Sequence, residues 1–434
     1  MLLSVLIGIA VFAILAHALF TLVASSFDLI NFNKSRIAAR HLASERVELI
    51  RNLTYDDVGT VGGIPNGIIA QEENIVQNGL NYKIKASVVY IDDPYDDTAP
   101  ADLSPDDYKR VRVEVSWEGL AGSRKNPIVL ISDVTSPLES SIESGTLIIK
   151  VFNANGQALP QAQVTIVASS ISPAVNVTQS TDNDGEVSLP GATPCDTCYQ
   201  ITVTKSGYST DRTYSTSEVT NPIKPHASLL LGEVTQLSFQ IDLTGTINIA
   251  STDSRENSFI AKPNLSFNLR GNKIIGTNSL GQYVYKFDHS YSTDSGGNYV
   301  ISNAEWDTYK VIMPTSTSWD ISGSSPLQPV SLLPGGNIDL TFSVEPHTAH
   351  SLLAIVEEPS QTLIASATAR LYKSGFEKVL ESGQSGNPDF GQAFFSGLAE
   401  DTYQLDATAS GYLNFTGTFD ASGATTGVVV LTPQ

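Results

Sequence analysis

The chain has 434 residues, enough for about three or four domains that each bury a core of their own. Lys and Arg number 25 against 45 Asp and Glu, a formal net charge of −20, which argues against nucleic acid or anionic lipid surfaces as partners. Charged residues make up only 16% of the chain, so much of its surface must be built from uncharged polar groups, as in turn-rich β proteins of the cell surface.

Residues 1–24 carry no Asp, Glu, Lys or Arg, and the first proline is Pro65. At 1.5 Å per residue that run is about 36 Å long as a helix, enough to cross a bilayer core of about 30 Å. The helical spacing continues through residue 53, where Ala39, Leu42, Ala43, Leu49, Ile50 and Leu53 recur by three, four and seven. One long helix is therefore expected over 1–53, apolar all round at its start and amphipathic at its end.

This layout resembles the N-terminal helix of type IV pilins and pseudopilins, and the stretch YDDVGTVGGIPNGII that follows resembles their junction between helix and head. The resemblance implies a subunit of an extracellular filament, inserted in the cytoplasmic membrane before assembly. Its partners would be identical subunits, a prepilin peptidase and the pilus assembly machinery. Leu2, Leu3, Ser4, Leu6, Gly8, Ala10, Ala13 and Ala16 are the filament-core residues expected on this reading, and Gly8 and the three Ala are small enough for helices to approach closely. The family's Glu near the mature N-terminus is replaced here by Ser4 or Val5. All basic residues near the apolar run (Lys34, Arg36, Arg40, Arg46, Arg51) lie on its C-terminal side, which by the positive-inside rule would hold the bulk of the chain in the cytoplasm. A removed basic leader reconciles this with an exported chain.

Residues 54–140 alternate with period two around Tyr82, Ile84, Ala86, Val88 and Tyr90, and again at Val111, Val113, Val115 and Trp117. With 68–77 and 127–133 these predict about four antiparallel strands packed on the amphipathic part of the helix, an α+β head like that of pilins. Between the clearest strands, Asp92, Asp93, Asp96, Asp97 and Asp102 crowd one loop, where a calcium ion would relieve their repulsion; a solvated acidic loop is the alternative.

From residue 141 the chain repeats a plan. Tyr199 and Tyr403 precede Gly207-Tyr208 and Gly411-Tyr412 by equal spacing, and Tyr309 sits in a weaker copy between them. Boundaries of 141–243, 244–346 and 347–434 follow. Gly156 and Gly185 suit turns with positive φ, while Ala162 and Val164 alternate into a core. These modules resemble carboxypeptidase-regulatory-like (transthyretin-like) domains and collagen-adhesin B-type repeats, which implies tandem prealbumin- or Ig-like β-sandwiches. In the adhesin repeats a strand lysine is cross-linked to Asn with help from a Glu. Lys150 matches that lysine, but Val203 and Ala407 stand at the Glu position, so no cross-link is expected.

Strand rather than helix residues follow Cys195 and Cys198, which argues against a redox motif; a local disulfide in an oxidising compartment is expected, with free thiols as the alternative. The scattered His residues and the lack of a nucleophile elbow, phosphate loop or dinucleotide fingerprint predict no enzymatic activity and no cofactor beyond calcium. Tyr283, Tyr285 and Phe287 alternate onto one strand face and are expected in a core, whereas Trp319, in a polar stretch, is expected to be exposed and to contact surface glycans or other cells. Asn52, Asn176, Asn264 and Asn414 begin N-x-S/T sequons. The fold class expected is mainly β with one long N-terminal helix. The function expected is a structural subunit of a type IV pilus-like filament, with a tip adhesin or a monomeric membrane-anchored stalk as alternatives.

Overall fold

The computed structural model describes residues 2–93, 107–117, 127–135, 145–172, 174–314 and 317–434; within the helix, the side chains of 2–11, 13–16, 18 and 28 are not among those described. The protein is mainly β with one long helix, Leu2–Arg51. It forms two compact units, Met1–Phe152 with Gly156–Val203 and His226–Phe239, and Asn153–Asn155 with Thr204–Pro225 and Gln240–Gln434.

In the first unit a four-stranded antiparallel sheet runs Glu72–Gln77, Leu80–Ile91, Tyr108–Trp117, Ile128–Thr135 in spatial and chain order alike. Its register pairs Tyr82 with Trp117, Ile84 with Val115 and Val88 with Val111, so period-two alternation puts all six on one face. That face meets Ala39, Leu42, Ala43, Val47 and Ile50, the buried stripe of the helix. Leu49, expected in this stripe, is half exposed, because one helical step of 100° carries it off the face that Ile50 occupies; Val47 takes its place.

The first sandwich follows. One sheet has Gly145–Phe152 between Val234–Gln240 and Glu186–Ala192, and the other has Gln163–Ala168 between Cys195–Thr204 and Val175–Ser180. Leu147, Ile149, Val164, Ile166, Leu189, Ile201 and Val203 are buried. Head and sandwich meet within this unit at Gln179, a buried amide whose Nε2 donates to the Ile64 carbonyl at 2.9 Å.

The second unit holds two further sandwiches. In the first of them Gly245–Asp253 lies antiparallel to Asn298–Ala304 and parallel to Asn337–Pro346, while Ser266–Gly271 is flanked by Asp288–Ser292 and Asp307–Ile312. In the other, Ser351–Glu357 lies antiparallel to Gln392–Phe395 and parallel to Ala424–Val430, and Thr368–Lys373 is flanked by Phe376–Glu381 and Thr402–Thr408. The strands connect in the same order in both, except that the first adds Trp319–Ser325 at the edge of Asn337–Pro346. A hairpin, Ile274–Thr277 and Tyr283–Tyr285, is inserted after the second strand of the first, and Asn221–Pro222 adds to its edge.

That hairpin alters the expected aromatic face. The strand ends at Tyr285, and Lys286, whose Nζ lies 2.7 Å from Glu305, bends the chain before Phe287. Phe287 packs with Tyr291 and Tyr309 on the core, but Tyr283 is 64% exposed.

The two sandwiches of this unit are joined by polar contacts. Arg255 pairs with Asp389 through Nε at 2.7 Å and through Nη2, and it also donates to the carbonyls of Glu381 and Gln392. A Cβ at Gly323 would lie 2.6 Å from Asp389 Cβ, so glycine is what lets the two chains approach there.

Candidate functional site

The helix presents two surfaces of different character. Its C-terminal part is covered by the head sheet. In its N-terminal part every described large apolar side chain is exposed: Phe12, Leu19, Phe20, Leu22, Val23, Phe27, Leu29 and Ile30, with Phe20 at 75%. Eight such side chains along one helix form an apolar surface far more extensive than the single exposed residues normal for a folded chain. Leu2, Leu3, Ser4, Leu6, Gly8, Ala10, Ala13 and Ala16 lie on this helix, but their side chains fall outside the described residues. Among the described residues no helix is long and apolar enough to cross a membrane.

Each sandwich buries one tyrosine by the same device. The Tyr199 hydroxyl donates to the Thr193 carbonyl at 2.7 Å, Tyr309 to Glu305 at 2.7 Å, and Tyr403 to Ala399 at 3.1 Å. Burial pushes the Tyr199 phenol up to about 12 and raises that of Tyr309 as well. Downstream, Gly207 and Gly411 take positive φ, and Tyr208 and Tyr412 each bridge to the chain following the last strand, at Leu243 and Pro433.

Cys195 and Cys198 form a disulfide with Cα atoms 6.1 Å apart. It closes a bulge: from Leu229 to Ala227 the partner strand advances two residues while Cys195 to Tyr199 advances four. Ser228 holds the bulge from the other side, accepting from Thr197 N at 2.8 Å and donating to Asp196 Oδ1 at 2.6 Å. Asp182 accepts the amides of Asp184 and Glu186, both at 2.9 Å, so its carboxylate fixes the turn between two strands.

Of the acidic loop, Asp92 and Asp93 are described, and Asp93 N donates to Asp107 Oδ2 at 2.5 Å. Asp96, Asp97 and Asp102 lie outside the described residues. Among the described residues no group of His, Cys, Asp or Glu is placed to hold a metal ion.

Trp319 is not the exposed side chain its polar surroundings promised. It opens the strand Trp319–Ser325, opposite Pro346, and packs on the sandwich core, with Lys262 Nζ 3.6 Å from the ring centroid. Strand pairing with Asn337–Pro346 recruits the polar stretch into the sheet, a long-range effect that local composition does not register. Tyr283, on the inserted hairpin of the same sandwich, is exposed instead.

No family model matches the chain, and no curated protein matches it. Among solved structures it is similar to the Bacillus anthracis TIE protein, with 15% identity over 75% of this chain and 59% of that one, at a TM-score of 0.21. It is also similar to a Streptococcal ancillary pilin (14% identity, 67% of this chain, 98% of that one, TM-score 0.19). BcpA, the major pilin subunit of Bacillus cereus, is similar at 10% identity over 67% of this chain and 99% of that one, with a TM-score of 0.18. This chain spans about three fifths of the TIE protein's length. Likenesses at such scores carry neither a shared arrangement nor a function to this chain.

Proposed function

We propose that this chain is a structural subunit of an extracellular filament of the type IV pilus kind. The N-terminal helix halves would bundle into the core, and the head and sandwiches would face outward. The observation that carries the reading is the row Phe12, Leu19, Phe20, Leu22, Val23, Phe27, Leu29 and Ile30, exposed on a helix whose other half is covered by its own head sheet. An apolar surface of that extent is costly in water and is relieved by burial against other copies. Before assembly the same residues would sit in the cytoplasmic membrane, where a prepilin peptidase and the assembly machinery would meet them.

The test is Leu22→Arg, because Leu22 is exposed in the isolated chain and its replacement leaves the head core untouched. In a filament core the new charge would be buried without a partner. Electron microscopy of cells carrying the variant should show no filaments while the protein accumulates with its normal melting behaviour. Filaments in normal number and length would overturn the reading and leave a monomeric anchored stalk. A second reading, a tip adhesin, is favoured by Tyr283 on the inserted hairpin of one sandwich, since an exposed aromatic ring suits stacking on sugars. Cells carrying Tyr283→Ala would then keep their filaments but lose attachment.

A further inference from the structure

We propose that Asn264 and Asn414 are acceptors for N-linked glycans. The chain holds five N-x-S/T sequences, at Asn33, Asn52, Asn176, Asn264 and Asn414, and all five asparagines are exposed, so accessibility alone does not choose among them. Their local structure does. Asn33 lies inside the helix, and its sequon hydroxyl, Ser35, is buried. Asn52 spends its amide on the helix end, with Nδ2 donating to the Glu48 carbonyl at 2.8 Å. Asn176 is held within the strand Val175–Ser180, opposite Val167.

Asn264 and Asn414 differ from these three. Each lies outside helix and strand, two residues before a hydroxyl at the start of a strand: Ser266 opens Ser266–Gly271, and Thr416 is the second residue of Phe415–Asp420. Among the described residues neither side-chain amide has a hydrogen-bond partner. The middle residue of each sequon is turned inward, Leu265 into the core and Phe415 against it. Backbone alternation therefore turns the asparagine and the hydroxyl residue outward together, and all four of those residues are exposed. Asn264 has φ of 53°, a conformation asparagine tolerates better than most residues, and one that fixes it at a turn.

Both sites also stand beside apolar side chains with no cover of their own, Leu413 next to Asn414 and Ile260 shortly before Asn264. A sugar chain there would shield them from water. The donor required is a phosphate-activated oligosaccharide. Nδ2 loses a proton and bonds to the sugar C1, and the C1–O bond to phosphate breaks, its electron pair leaving with the phosphate.

The proposal rests on outward display of these sandwiches and not on filament assembly. Protein isolated from its own cells and digested should give peptides carrying Asn264 and Asn414 with the mass of an attached glycan. Peptides with Asn33, Asn52 and Asn176 should be bare. Ser266→Ala and Thr416→Val, which keep both asparagines, should lower the modified fraction at least tenfold at their own sites, and Ser266→Thr should restore it. Bare peptides at both sites, or glycan at the other three positions instead, would overturn the proposal. Bare subunits in intact filaments would refute glycosylation alone, and glycosylated chains that never form filaments would refute the assembly reading alone.

Discussion

Gln392 and Ser324 exchange two hydrogen bonds across the junction of the last two sandwiches: Gln392 Nε2 donates to the Ser324 carbonyl at 2.8 Å and Ser324 N donates to Gln392 Oε1 at 3.1 Å. Gln392 is fully buried, so its amide serves the strand Trp319–Ser325 as another backbone segment would. Gln392→Leu removes both bonds and leaves a buried N–H and C=O without partners. The expected cost is about 2–4 kcal/mol, at about 1–3 for each unsatisfied group less any water that enters. Chemical denaturation of the full chain in mild detergent measures it. A variant as stable as the parent would show that the junction contributes nothing to the fold of this unit.

Glu345 lies at the same junction, accepting from Ser396 Oγ at 3.1 Å, and burial raises its pKa above the ordinary carboxylate range. The folded state therefore holds this proton more tightly than the unfolded state. Its contribution is fully present below the unfolded pKa of about 4.5 and is lost as pH rises through the folded value. Glu345→Gln keeps an acceptor for Ser396 and cannot ionise. It should melt higher than the parent at neutral pH, and the difference should close on acidification to about pH 4. A difference independent of pH would assign the effect to packing.

The amphipathic helix and the head strands were legible because each rests on a local period. Ala39, Leu42 and Ala43 lie on one helical face, and Tyr82 and Ile84 on one strand face, whatever the rest of the chain does. Leu49 was misplaced because it stands one 100° step from Ile50, at the edge of the buried stripe, whereas Val47, four residues after Ala43 and three before Ile50, fits the period and was passed over. Tyr283 and Trp319 were misjudged because an inserted hairpin and a distant strand partner decide their surroundings. The Arg255–Asp389 and Gln392–Ser324 contacts join residues far apart in the chain and leave no trace in local pattern.

Arg255 gives the third prediction. Its guanidinium pairs with Asp389, which is almost wholly buried, and donates to two carbonyls besides. Arg255→Ala should cost about 3–5 kcal/mol, because it leaves a buried carboxylate uncompensated, while Arg255→Ala with Asp389→Ala should be closer to the parent. Thermal melts of the parent, Arg255→Ala, Asp389→Ala and the double variant complete the cycle. Additive losses would mean that the pair does not act as a unit.

The disulfide closes a small ring, and the chain-entropy relation then gives about 2 kcal/mol of stabilisation. Cys195→Ser with Cys198→Ser should lower stability by that order, and added reductant should leave the double variant unchanged while lowering the parent to match it. Ser228 also braces the bulge, so Ser228→Ala should add to the loss. A parent indifferent to reductant would show that Ser228 alone suffices to hold the bulge.

Tyr199 provides the last test, because its hydroxyl does two separable things. At neutral pH it donates to the Thr193 carbonyl, so Tyr199→Phe should cost about 1 kcal/mol. At alkaline pH the same hydroxyl becomes a liability. Its folded pKa of about 12 exceeds the ordinary 10.0, so the stability it lends is complete below 10.0 and declines as pH climbs through the folded value. Phenylalanine cannot ionise and escapes that decline. Melting curves of parent and Tyr199→Phe should therefore cross between about pH 10 and 12, the parent losing its neutral-pH advantage and falling below the variant. An advantage constant across that range would mean that Tyr199 titrates alike in the folded and unfolded chain. The first sandwich would then open to solvent in alkali well before it unfolds, and its core could not be closed around this side chain.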